Sequence, residues 1–138
     1  MIQAITETNL EINIQTEDNR IDTSVASTQI RHLFKFTNDL DKSVYYAYAF
    51  IENIKARFTE ALFVYNSTTN LYSGRINFLP SGYWKYEVYE VSWIGTVTMF
   101  LGNAPATEDD VLTPAANTKG VVQGLVTKGK MNVSEKDG

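Results

Sequence analysis

Few residues of this chain are of a type that does chemistry, and they are scattered. His32 is the one histidine among 138 residues, and it alternates with Phe34 and Phe36 in an apolar run. Nucleophilic catalysis needs a base beside a nucleophile and an acid to orient that base. Nothing in the sequence pairs His32 with either, so it reads as a structural histidine. Ser81-Gly82 is half of a nucleophile elbow, but Gly-x-Ser-x-Gly is absent, and Pro80-Ser81-Gly82 reads as a turn. Asp39-Leu40-Asp41 and Glu108-Asp109-Asp110 carry oxygens that suit a hard cation such as calcium. Neither has the spacing of a known loop, and both read as surface turns. Asn66-Ser67-Thr68 and Asn132-Val133-Ser134 match the glycosylation acceptor pattern; without an export signal they read as chance matches. There is no glycine-rich phosphate loop, and Lys119, Lys128 and Lys130 are too few for a phosphate patch. The expectation is a protein with no catalytic, cofactor or metal residues, and so not an enzyme.

Tyr83 and Tyr89 are harder to dismiss. In Pro80–Glu90 the chain alternates, with Trp84, Tyr86 and Val88 on one side and Tyr83, Lys85, Glu87 and Tyr89 on the other. A period of two, rich in aromatic and β-branched residues, is a strand buried on one face. Tyr83 and Tyr89 then fall on the outward face. Amphipathic rings at a surface serve protein interfaces and also stack on sugars, so both tyrosines are candidate partner-binding residues.

The elements that would position them follow the same period. Ile30–Thr37, Val44–Phe50, Phe58–Tyr65, Arg75–Phe78, Tyr83–Val91 and Trp93–Leu101 read as strands, and Asn9–Gln15 alternates cleanly as an earlier one. Glu52–Lys55 reads as a connection. Phe58, Leu62 and Tyr65 also have helical spacing, but the Val, Phe and Tyr content favours a strand. Asn38–Lys42 and Asn66–Asn70 are turns built from residues that bond their own backbone. Short strands at such spacing predict an all-β, antiparallel sandwich.

All the Phe, Tyr and Trp residues lie between Phe34 and Phe100. A core needs large side chains, so the body is expected over residues 1–101 and an extended C-terminal arm over 102–138. The arm has prolines at 105 and 114 and glycines at 120, 124 and 129. A free segment of this composition buries too little to offset its ordering entropy. Yet Val121, Val122, Leu125, Val126, Met131 and Val133 form strand-compatible apolar patches. They are therefore expected to be ordered by a partner, by strand addition to a neighbouring subunit.

Composition bounds the rest. A chain of 138 residues, 43% hydrophobic, supports one domain with a real core. A net charge of −4 argues against a nucleic-acid-binding domain. The absence of cysteine removes disulfides and thiolate metal sites. The first residues show neither a basic nor an apolar leader segment, and no window is long and apolar enough for a membrane span. A soluble chain without a cleaved leader is the expectation.

The block from Arg31 to Glu90 resembles a family of small virion proteins from tailed bacteriophages, including crAss-like phages. The resemblance is carried in order by His32-Leu-Phe-Lys-Phe-Thr-Asn38, Ser43-Val-Tyr-Tyr-Ala-Tyr48, the Gly74 turn with Arg75-Ile-Asn77, and Gly82-Tyr-Trp-Lys-Tyr-Glu-Val-Tyr-Glu90. It covers somewhat under half of the chain and implies an immunoglobulin-like sandwich. It also implies a place in the virion: a head auxiliary or capsid-decorating protein in contact with the major capsid protein, made in the host cytoplasm and present in many copies. A neck or tail ring component is the nearest alternative, and a carbohydrate-binding sandwich using Tyr83 and Tyr89 is the rival from another class.

Overall fold

The computed structural model describes residues 2–14, 21, 26–54, 58–78, 81–95, 97–100, 102–110 and 119–135. Among these residues nine strands run in chain order: β1 (Ile2–Ile5), β2 (Leu10–Ile14), β3 (Ile30–Asn38), β4 (Val44–Tyr48), β5 (Ile51–Ile54), β6 (Thr59–Tyr65), β7 (Arg75–Ile76), β8 (Gly82–Ser92) and β9 (Val121–Ser134). They form two sheets. One has five strands in the order β1-β9-β8-β3-β4, and the other has the order β2-β6-β5, with β7 beside β6. The pairings are antiparallel except β1 with β9 and β6 with β7, which are parallel. The all-β expectation holds, in two mostly antiparallel sheets, and Phe58–Tyr65 is strand rather than helix.

Alternation decides which side chains face the partner sheet. On β3, Phe34 and Phe36 point inward; on β8, Trp84 and Val88 do; on β6, Ala61 and Phe63 meet them from the other sheet. The rings interlock edge to face, with centroids 4.9 Å apart for Phe34–Phe63, 5.5 Å for Phe36–Phe63 and 5.7 Å for Phe78–Trp84. Such contacts add to area burial about 0.5–1.5 kcal/mol each. Leu10, Ile12 and Ile14 of β2 close the same core.

Three expectations are corrected. Glu52, placed in a connection, lies on strand β5. Trp93–Leu101 is not a strand: its described residues run irregularly across the outer face of the five-stranded sheet. The largest correction concerns the C-terminal arm. Val121–Ser134 is a 14-residue strand paired with β8 along its length and with β1 over Met131–Ser134, so it is part of the sandwich and the body does not end at 101. Val126, Met131 and Val133, expected to be ordered by a neighbouring subunit, are buried in this chain's own core instead. The glycines misled for a physical reason. Gly129 pairs with Tyr86, and a Cβ there would lie 2.5 Å from the Tyr86 hydroxyl. Gly124 takes φ 148° beside a register shift near Glu90. Gly129 leaves room for the Tyr86 ring and Gly124 takes up the register shift, where the bare sequence shows only interruptions.

Candidate functional site

The outer face of the five-stranded sheet is divided in two. Over one half, outward Leu33, Tyr48 and Val91 pack against Trp93 and Ala104 in a second apolar cluster, which Tyr46, Tyr72, Tyr89, Val97, Met99 and Val122 border. The segment from Trp93 to Asp110 is therefore a cap. It is held by the Tyr48 hydroxyl donating to the Pro105 carbonyl at 2.6 Å and by the Gly120 amide donating to the Asn103 carbonyl at 2.7 Å. Gly120 lies against the Trp93 ring, where a Cβ would come within 2.6 Å of ring carbon.

Glu108 fastens the cap in the middle of the sheet. Its carboxylate accepts from the Lys35 ammonium at 2.9 Å and from the Tyr46 hydroxyl at 2.6 Å. These bonds hold the Glu108 carboxyl below its ordinary value against the opposing effect of burial. The bond to Glu108 raises Lys35. Burial first, then Glu108, pushes the Tyr46 phenol up to about 12. Beside it, burial and the hydrogen bond to Glu87 raise Tyr89 strongly.

Among the described residues, no segment caps the other half. Register places Lys85 of β8 directly opposite Lys130 of β9, and Glu87 opposite Lys128. These four outward residues wall a shallow groove of about 500 Å³ that Tyr86 and Gly129 also line. Asn132 pairs with Tyr83 on one side and Gln3 on the other, and Tyr83 is 58% exposed. Val44 lies opposite Thr37 at the far edge.

The candidate partner-binding residues thus part company. Tyr83 belongs to the bare half. Tyr89 belongs to the capped half, with its hydroxyl on Glu87. They stand six positions apart along β8, about 20 Å, so they do not form one stacking platform. Val121 and Leu125 are half-exposed, Val122 borders the capped cluster, and Val126, Met131 and Val133 are core.

The chemistry-bearing residues turn inward. The backbone amide of His32 donates to Glu52 Oε1 at 3.1 Å, and its ring Nδ1 lies 3.2 Å from Glu52 Oε2, with both side chains 2% exposed. Glu52 thereby serves β3 just beyond the point where β4 leaves the sheet at Tyr48. Glu90, opposite His32 in register, is also buried and accepts from the Ile21 amide. Sequence reading missed both acids. Glu90 was signalled, since it continues the inward phase of Trp84, Tyr86 and Val88; Glu52 was not, because its strand was unrecognised. Asp41 accepts from the Ser43 amide within its own turn, and Asp110 from the Ala106 amide. Among the described residues, no three His, Cys, Asp or Glu side chains are grouped to hold a metal ion, and no helix is long and apolar enough to cross a membrane.

In comparisons with known proteins, no family model, no curated protein and no solved structure matches this chain.

Proposed function

We propose that this chain is a non-enzymatic structural protein of a tailed-phage virion, an immunoglobulin-like sandwich that docks on the capsid surface and reinforces the head. The bare half of the outer sheet face carries the reading. Lys85, Glu87, Lys128 and Lys130 line one groove there, with the Tyr83–Asn132 pair beside it, while the other half is covered by the chain's own cap. A rigid, half-uncovered sheet suits repeated docking on a lattice of subunits, where many modest contacts sum to avidity. His32, Glu52, Glu90 and Glu108 are meanwhile engaged in internal bonds that position strands and cap.

Strand order supports the immunoglobulin-like part. Chain-ordered strands β3, β4, β8 and β9 lie as β9-β8-β3-β4 opposite β2-β6-β5, as the G-F-C-C′ strands face B-E-D in a variable-type domain. Two features differ from that pattern. The chain has no cysteine, so no disulfide joins the sheets, and the tryptophan of the core between the sheets, Trp84, sits on β8 rather than β3. The motifs that carry the resemblance to small phage virion proteins lie mainly on β3, β4 and β8 and at the Gly74 turn. That turn is tight for a reason: Gly74 has φ 66°, and a Cβ there would lie 2.1 Å from the Phe50 amide nitrogen.

Quantitative mass spectrometry of purified particles, with imaging of the bound protein, tests the proposal. Copies in the hundreds over the head are the expected result. Roughly a dozen copies around the neck would favour a ring component instead. Absence from particles would overturn the virion assignment.

A further inference from the structure

We infer that the bare half of the five-stranded sheet recognises an acidic protein surface, with Lys85, Lys128 and Lys130 reading its charge and Tyr83 packing beside them. The inference rests on the reading of this face as a docking surface, and not on the virion assignment.

Three observations carry it. First, Lys85 and Lys130 are a directly opposed cross-strand pair, both exposed. Like charges so placed repel, because their Cβ atoms stand only about 5 Å apart. Second, none of the three lysines forms an ion pair among the described residues; the ion pairs there are His32–Glu52 and Lys35–Glu108. Glu87 faces Lys128 across the strands, but its carboxylate accepts the Tyr89 hydroxyl. Third, the three lysines outnumber the one acid, Glu87, in lining a groove of a chain whose net charge is −4. A local positive site in an acidic molecule is an orienting device, since the rest of the surface repels an acidic partner that approaches elsewhere.

The chemistry favours a protein over a nucleic acid. A polyanionic strand is tracked by many cations along its phosphates, and here three stand within one groove. Glutamate or aspartate side chains of a partner would enter the groove between the lysines and relieve their mutual repulsion. Tyr83 and Asn132, at the rim, supply the aromatic and amide contacts common at protein interfaces.

The test uses the purified full chain and fluorescein-labelled poly-L-glutamate, with oligo-dT as the competing polyanion. Binding of polyglutamate that weakens with added salt is expected. The K85E/K128E/K130E variant should bind it about tenfold more weakly or worse, a loss on the order of 1.4 kcal/mol. K85R/K128R/K130R and the distant R75E should bind as the parent does. Acetylation needs no variant: bound polyglutamate should protect Lys85, Lys128 and Lys130 and leave Lys42 reactive. Equal affinity of the charge-reversed variant, equal loss in R75E, or no protection of the three lysines would overturn the inference. So would oligo-dT binding more tightly than polyglutamate and being released by the same three changes. Because the assay contains no particle, its failure is distinct from absence of the protein from virions.

Discussion

Trp84 shows how much one inward position carries. It is fully buried, stacks on Tyr45 at 5.7 Å and meets Phe78 edge to face. Truncating such a side chain loses transfer energy and leaves a cavity, so Trp84→Ala should cost about 3–5 kcal/mol in a denaturant titration. A near-neutral result would refute the register of β8. Lys85, one residue on and facing outward, should behave oppositely. Lys85→Glu replaces repulsion across to Lys130 with attraction and should raise stability by about 0.2–1 kcal/mol; a loss of that size would mean the lysine is held by an internal partner. The phenols predict the response to alkali. Burial raises Tyr46 to about 12 and raises Tyr48 and Tyr89 strongly. A raised folded-state value means that stability is complete below the unfolded value of about 10 and is lost as pH climbs through the folded one. The unfolding midpoint should therefore hold to about pH 10 and fall steeply toward 12, with phenolate absorbance arriving late and together with unfolding. Glu108 runs the other way: its lowered value contributes stability that is lost as pH falls below the carboxylate range. Complete phenolate formation in a still-folded protein would contradict the burial of Tyr46, Tyr48 and Tyr89.

At the level of elements, β9 is the sharpest case. It pairs with β8 along its length and with β1 over Met131–Ser134, so the amides of Val121–Val133 that bond to β8, and those of Met131–Val133 on both sides, should be strongly protected from hydrogen exchange in the isolated protein. Fast exchange there would restore a mobile arm. Deletion of residues 121–138 should abolish cooperative unfolding, because it removes Val126, Met131 and Val133 from the core and exposes an edge of β8. Legibility followed the same physics. β2, β3, β6 and β8 were readable, because each buries one face and alternation records that burial residue by residue. β9 was not, because its partner strand supplies the bulk: Trp84 lies opposite Met131, and Tyr86 opposite Gly129. The Trp93–Asp110 cap also escaped, since Trp93 and Ala104 look like strand and loop until the Leu33, Tyr48 and Val91 surface they cover is known. The candidate site was half legible. Tyr83 was singled out correctly as an outward residue, while the Lys85–Lys130 opposition depends on a pairing 45 residues apart in sequence that only the register reveals.

At the scale of the whole molecule, the sandwich has one outer face that is partly self-covered and partly open. The cap seals Trp93 against Gly120, and Glu108 marks its boundary by tying Lys35 and Tyr46. Beyond that boundary the lysine groove and Tyr83 face outward. The division leaves an uncommitted surface on a sheet whose other half is sealed by the chain itself. It also sets the most direct test. Lysine acetylation, read by mass spectrometry on the free protein and on the protein bound to particles, reports each amine separately. Lys85, Lys128 and Lys130 should be reactive in the free protein and protected on the particle, with Lys42 in the β3–β4 turn reactive in both. Unchanged reactivity of Lys85, Lys128 and Lys130 on the particle, or protection centred on Lys42 instead, would contradict docking through this face.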